Sequence, residues 1–273
     1  MVKISASIVL FHNNRNQLKR VIDSFFNTKI DVKLYLVDNS ITDELKDIIS
    51  YDKRIEYIFN NNNLGYGAGH NIAIRKSIMQ NIKYHVVLNP DLYFEGNVIE
   101  HLFNYMNKHK DVGNIMPNVL YPNGDNQYLA KLLPTPLDWI LRRFLPSKLT
   151  KSITERFELK YTGYETTMNV PFLSGCFMFL RTKTLEEVGL FDEDIFMYME
   201  DVDLNRRIHS TAKTLYYPKV EIYHEYERGS YKSFKLLFIS IQSSVKYFNK
   251  WGWIFDSERK KINNKVLRET NYE

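Results

Sequence analysis

Between residues 5 and 116, five apolar runs alternate with stretches whose apolar residues step by three and four. The runs at 5–11, 32–37, 55–59, 84–88 and 112–116 read as strands, and 84–88 shows no polar alternation, as in a strand buried on both faces. Between the first two, Leu18, Val21, Ile22, Phe25 and Phe26 share one helical face over 17–26. Helices are also predicted over 42–49, 70–79 and 98–109, the first with Asp43 and Glu44 near its start. Strand and helix in turn mean βαβ units. The chain is thereby constrained to an α/β fold with a mostly parallel central sheet and right-handed crossovers.

The rhythm breaks at Tyr121-Pro122-Asn123-Gly124, a turn signal. From there 121–170 reads as an inserted segment, within which 137–145 is amphipathic and basic. Regular structure resumes over 171–181, followed by a helix at 183–188 and short strands at 214–217 and 221–223. A long amphipathic helix is predicted over 231–253. Phe234, Phe238, Ile241, Val245 and Phe248 form one face, and Lys235, Lys246 and Lys250 lie on another. Two units are expected: a domain over 1–230 and a helical tail over 231–273.

Charge separates the same two parts. Residues 228–273 hold 10 Lys and Arg against 4 Asp and Glu, leaving 27 against 28 in the remainder. A basic, aromatic tail suits an anionic membrane surface. The slightly acidic remainder holds no nucleic-acid motif, so nucleic acid is not an expected partner. The single Cys176 excludes an internal disulfide and fits a reducing compartment. Met1-Val2-Lys3 leads straight into the first strand, without a leader. The longest apolar run, 170–180, falls short of the roughly 20 residues that cross a bilayer. The expectation is a cytoplasmic protein, soluble or peripheral on the inner face of the membrane.

Two acidic clusters carry the chemistry. Asn89-Pro90-Asp91 directly follows the strand at 84–88, where open α/β sheets bind ligands. Its hard oxygen donors suit Mg²⁺ or Mn²⁺ bridging a diphosphate; an Asn-Pro turn with a capping Asp would use the same residues. Glu200-Asp201-Val202-Asp203 opens a helical stretch. Three carboxylates in four residues exceed what a helix start needs, and their repulsion raises at least one pKa, as a general base requires. Asp38, followed by Asn39 and Ser40 at the end of the second strand, can accept from a pyrimidine N3–H or a ribose hydroxyl, or can cap a turn. The loop from Asn63 through Gly65, Gly67 and Gly69 to Asn71 either approaches a nucleotide or lets a helix pack closely; its spacing is not the dinucleotide fingerprint. His224, with Arg228 in the Gly-Ser loop after it, can meet a phosphate or a metal.

In order, SASIVLFHN (5–13), VDNS (37–40), NNLGYGAGHN (62–71), LNPDLYF (88–94), SGCFMFLR (174–181), GLFDEDIFMYMEDVDLNRRI (189–208) and the late His224 make the chain resemble glycosyltransferase family 2, the inverting enzymes of GT-A fold. The NPD and MEDVDLNRR segments are most similar to its rhamnosyltransferase branch. That resemblance implies a Rossmann-like sheet flanked by helices. It implies transfer of a sugar, L-rhamnose from dTDP-rhamnose or a hexose from a UDP-sugar, to a glycan or lipid-linked saccharide in bacterial surface polysaccharide synthesis. Phe11, Asp38, Asn39, Ser40, Gly65 and Asn71 would then contact the nucleotide. Asp91 would be the metal-binding Asp of a D-x-D element in which Asn89 replaces the first Asp, with His224 as a further ligand. Asp201 would be the base, beside Glu200, and Asp203, His224 and Arg228 would meet the acceptor or diphosphate. The segment 139–145 would be a second membrane anchor or an acceptor lid. A nucleotidyltransferase would need a glycine-rich loop after the first strand, where Phe11-His12-Asn13-Asn14-Arg15 stands instead. A non-catalytic scaffold would need Asp91 or Asp201 turned away from the cavity.

Overall fold

The computed structural model describes residues 1–226 and 233–272. Its core is a nine-stranded sheet flanked by helices. Strands β1 (Ile4–Leu10), β2 (Val32–Asp38), β3 (Ile55–Phe59) and β4 (Tyr84–Leu88) run parallel in the order β3-β2-β1-β4. The apolar run of β4 is buried throughout, as a strand covered on both faces must be. The register sets Leu10 against Asp38 and Ile8 against Leu88. Asp38 and Asn89 therefore emerge at the same edge, where the crevice of an α/β sheet opens.

The crossover helices are α1 (Arg15–Phe26) and α2 (Tyr66–Met79). Asn14 caps α1 by accepting from the Asn16 and Gln17 N–H groups. The helix predicted over 42–49 is not formed; only a 3₁₀ turn spans Lys46–Ser50. Arg15 takes the Glu44 carbonyl at 2.9 Å and forks onto Asp47 at 2.8 Å, removing an acceptor that a helix there would use.

Past β4 come β5 (Leu92–Tyr93), α3 (Val98–Lys108), β6 (Val112–Leu120), β7 (Ala130–Lys131), α4 (Pro136–Phe144) and α5 (Lys151–Phe157). Then follow β8 (Met168–Asn169), β9 (Phe172–Leu173), β10 (Phe177–Arg181), α6 (Thr182–Val188), α7 (Glu200–His209) and β11 (Lys213–His224). The sheet continues from β4 as β10-β6-β11-β5, with β10 antiparallel to both neighbours and β6 parallel to β11. The two short strands expected near 214–223 are one strand with a register shift between Tyr217 and Glu221. Pro218 lies in the shift and has no N–H to give the ladder. Segment 121–170 is woven into the domain. Strand β7 pairs with β9 and β8 with β11, and Leu132, Phe157, Leu159 and Met168 lie in the main core.

The tail forms α8 (Phe234–Trp251) and a further helix, α9 (Ser257–Glu269), that the sequence reading does not anticipate. The docking face of α8 also differs from the predicted one. Ser240, Ser243, Ser244, Tyr247 and Phe248 are buried, whereas Phe234, Phe238 and Val245 face outward. Small serines allow close approach, and Ser243 Oγ donates to the Met197 carbonyl at 2.7 Å. The lysine stripe is partly consumed within the fold. Lys246 bonds the Asp194 carbonyl, and Lys250 pairs with Asp192 at 2.6 Å and Asp203 at 2.9 Å. No helix among the described residues is long and apolar enough to cross a membrane.

A buried polar chain ties β1, β4 and α2 together. Ser7 Oγ bridges His70 Nδ1 at 2.7 Å and His85 Nε2 at 2.8 Å, while Ser5 Oγ meets His85 Nδ1 at 2.9 Å. Burial holds both imidazoles below their usual pKa of 6.5, His85 at about 3. Both stay neutral in the fold and become charged in the unfolded chain, which therefore binds more protons as pH falls below 6.5. Stability is expected to drop from about pH 6.5 downward, by up to ~1.4 kcal/mol per pH unit for each histidine. Urea midpoints compared at about pH 7 and pH 5, above the range where exposed carboxylates titrate, check this. Glu200, protonated in the fold, works the other way over this interval, so the comparison is made between the unaltered protein and Glu200→Gln; equal midpoints at the two pH values in Glu200→Gln would show that the histidines already bear charge in the fold.

Candidate active site

The turn into α7 is strained. Tyr198 and Met199 hold φ of +67° and +71°, left-handed values that cost side-chain-bearing residues about 1–3 kcal/mol each and collect at working sites. The turn aims Glu200 and Asp201 into a cavity of about 420 Å³. Asp201 is held by two backbone donors at 2.8 Å: Gly175 N–H to Oδ2 and Val202 N–H to Oδ1. Burial pushes both carboxyl groups up, Glu200 well above its usual range and further raised by the charge of Asp201. The backbone donors and Lys131 oppose the rise at Asp201, whereas Glu200 Oε2 is buried without a hydrogen-bond partner. Of the pair, Asp201 carries the charge and Glu200 the proton.

Asn89, Tyr66 and His224 line the same cavity. Tyr66 Oη donates toward the Gly175 carbonyl at 2.7 Å and Asn89 Oδ1 at 3.0 Å, linking the end of β4 to the loop that holds Asp201. Pairing of His224 with Leu92 brings Asp91 beside the imidazole. Gln127 spends its amide nitrogen on the His224 and Leu120 carbonyls, so His224 Nδ1–H donates to Gln127 Oε1 at 3.0 Å. Nε2 then faces Asp91 Oδ1 at 3.3 Å. Burial opposes charge on His224, but the Cys176 sulfur and the Asp91 carboxylate outweigh it and push its pKa up to about 10. The contact is an ion pair without hydrogen-bond geometry, and Asp91 Oδ1 is left buried without a hydrogen-bond donor.

Asp38 and Ser40 line a smaller cleft of about 100 Å³ with His12, Asn13 and Thr42. Asp38 Oδ1 accepts from Ser40 N–H at 2.8 Å and Oδ2 from the Tyr57 hydroxyl at 2.5 Å. Burial, then the Asp38 contact, raises the Tyr57 pKa, so that hydroxyl keeps its proton. Asn39 reaches from the end of β2 to the Gly65 carbonyl at 3.0 Å. Gly65 has φ +92°, and a Cβ there would lie 2.3 Å from the Phe196 carbonyl oxygen. The glycines that follow serve packing: a Cβ on Gly69 would lie 2.7 Å from Val9. Phe11 is exposed, its ring edge-on to His12 at 4.8 Å.

Two expected contacts are corrected. Asn71 is wholly buried and spends its amide on the Phe191 backbone and on Glu193 at 2.8 Å, so it reaches the cavity only through that segment. Asp203 is also fully buried. Its oxygens accept from Arg207 at 2.9 Å, Trp251 at 2.8 Å and Lys250, which anchors α8 and leaves no oxygen for an acceptor or diphosphate. Arg228 lies outside the described residues. Gln127 and Lys131 lie outside every motif, since single Gln and Lys residues carry no spacing signal of their own, whereas Tyr66 and Gly175 lie inside the 62–71 and 174–181 segments without a role assigned there.

A family model described as Glycosyl transferase family 2 matches residues 7–189, ending before α7. The N-acetylglucosaminyl-diphospho-decaprenol L-rhamnosyltransferase of Mycobacterium tuberculosis is 27% identical over 217 residues, 72% of this chain and 67% of that protein. Rhamnosyltransferase WbbL of Escherichia coli is 24% identical over 77% of this chain and 78% of its own. Among solved structures, GalNAc-T7 with UDP, GalNAc and Mn²⁺ superposes with a TM-score of 0.61 at 16% identity, over 82% of this chain and 43% of that one. The shared fold is GT-A, and the sequence is similar to rhamnosyltransferases. A match spanning well over half of its residues makes this chain a glycosyltransferase, and it belongs to glycosyl transferase family 2.

Proposed function

We propose that the chain is an inverting rhamnosyltransferase that moves L-rhamnose from dTDP-rhamnose to a lipid-linked saccharide in bacterial surface polysaccharide synthesis. The observation that carries this reading is Asp201, pinned by the Gly175 N–H and turned into the cavity that also holds Asn89 and His224. The acceptor hydroxyl gives its proton to Asp201 as its oxygen attacks the anomeric carbon. The bond from that carbon to the donor diphosphate breaks on the opposite face. One displacement inverts the centre and needs no enzyme nucleophile.

Asp91 and His224 would hold Mg²⁺ or Mn²⁺. The orphaned Asp91 oxygen is a fitting donor, and the imidazole nitrogen facing it would join as a second once the incoming cation displaced the proton that Asp91 now holds there. No group of three His, Cys, Asp or Glu side chains converges among the described residues, so remaining positions fall to the donor diphosphate and water, as is usual for such ions. When bound, such an ion would offset charge on the leaving diphosphate. The Asp38–Ser40 cleft is the place for the nucleoside.

The lipid-linked acceptor is supported by apolar surface beside the cavity. Trp139 and Ser240 line it, and the helices that carry them expose Leu137, Ile140 and Phe144 on α4 and Phe234 and Phe238 on α8. These faces, with Lys235 and Arg143 on the same helices, suit the interfacial plane of an anionic membrane. Residues 1–230 are the catalytic unit in this reading, and 231–273 a tail that buttresses α7 and meets the lipid.

Calorimetry with dTDP, UDP, GDP and CMP, each with and without Mn²⁺, tests the donor. Metal-dependent binding of dTDP is expected, and Asp91→Ala is expected to remove the metal dependence. Preference for UDP would move the donor to a UDP-hexose, and silence with all four nucleotides would overturn the reading.

A further inference from the structure

The cavity holds a cation, Lys131, whose only part so far is its pull on Asp201. Lys131, at the end of β7, lines it with Arg142 and Arg143 of α4. Burial pushes the Lys131 pKa down, with Glu158 and Asp201 pulling against that and Arg142 adding to it. Among the described residues no carboxylate lies within ion-pairing distance of its ammonium. Its ammonium stands over the Phe172 ring, 5.7 Å from the centroid. The nearby Glu158 is already satisfied twice, by Arg142 at 2.6 Å and Lys160 at 3.0 Å. Arg142 still has Nε buried without a partner. A partly buried ammonium with no direct ion pair is costly, and a wall that adds two guanidinium groups to it suits an anion.

We propose that Lys131, Arg142 and Arg143 form an anion subsite that takes a phosphate joined to the acceptor sugar, setting the acceptor hydroxyl at Asp201. Lys131 is near enough to Asp201 for their charges to act on each other, which sets the subsite beside the base, while the donor diphosphate is assigned to Asp91 and His224 in the same cavity. It rests on the reading of Asp201 as the base.

The test is calorimetry with the donor site filled by the nucleotide that binds best with Mn²⁺. Three probes are compared: undecyl N-acetylglucosaminyl diphosphate, the methyl phosphodiester of N-acetylglucosamine, and neutral undecyl N-acetylglucosaminide. The phosphorylated probes are expected to bind at least about tenfold tighter than the neutral one, the return of one charge-assisted contact set. Preference for the diphosphate identifies a lipid-diphosphate acceptor, and equal gains for the phosphodiester identify a phosphate-linked polymer. Lys131→Met, which keeps the side-chain volume, is expected to erase the preference, and Arg143→Gln to reduce it. Nucleotide affinity should stay unchanged in both variants, which reports that they fold. Equal binding of charged and neutral probes, or a preference that survives Lys131→Met, overturns the subsite. Absence of nucleotide binding in the unaltered protein would instead bring down the functional reading.

Discussion

Asp201→Asn is expected to lower the transfer rate by about 10²–10⁴-fold, the range a positioned general base contributes, while nucleotide binding stays within about twofold. The substitution keeps the shape of the side chain and one acceptor oxygen for the Gly175 or Val202 N–H. It removes the only property the step needs, a carboxylate able to take the acceptor proton. Glu200 cannot substitute, since its carboxyl is buried and protonated beside Asp201. Transfer assays with the nucleotide sugar, read alongside calorimetry of the nucleotide alone, separate the two effects. Turnover near the unaltered rate would remove Asp201 from the role of base.

A second large effect is expected far from the cavity. Asp256→Ala should destabilise the protein by about 3–5 kcal/mol, the cost of breaking one partner from a buried ion pair. Arg206 and Asp256 are almost completely buried and joined by two bonds of 2.7 and 2.8 Å, with the guanidinium 4.0 Å above the Trp251 ring. Burial raises the Asp256 pKa, yet the Arg206 guanidinium outweighs it and holds the carboxyl below its ordinary range. Asp256 also caps α9 by accepting from Arg259 N–H at 2.8 Å. Without it, Arg206 keeps only Glu258, itself half exposed, at 3.0 Å. Arg206 stands on α7, five positions after Asp201, so the pair clamps the tail to the helix that presents the carboxylates. A fall in Tm of about 10 °C is expected for a chain of this size. An unchanged Tm would show that the Arg206–Asp256 pair contributes nothing to stability.

Much of the candidate site is legible because it sits where strands end. Asp38, Asn89 and Asp91 follow apolar runs, and the position of a strand end needs only local pattern. Glu200 and Asp201 stand out through charge density at a helix start. Asp203 belongs to the same run of letters but is buried against Arg207, Trp251 and Lys250, partners from one turn on and from the next helix. Nothing in the tetrapeptide distinguishes a carboxylate facing the cavity from one facing the tail. Asn71 misleads for the same reason: its neighbours in sequence are glycines, and its partners are 120 and 122 residues away.

The tail shows the division most clearly. Helical periodicity alone placed a long helix after residue 230, because backbone hydrogen bonding along one segment is a local matter. It did not choose the face that docks. The apolar stripe has the stronger signal, yet of it Phe234, Phe238 and Val245 stay outside, and the serine face is buried together with Tyr247 and Phe248 because the partner surface offers a carbonyl, two acidic side chains and room for close approach. The alternation of strands and helices thus determined by itself the sheet and the edge on which ligands gather. The tertiary structure alone decided which carboxylates face that edge, which cations join them and which apolar surface stays outside, since each depends on partners that local pattern does not encode.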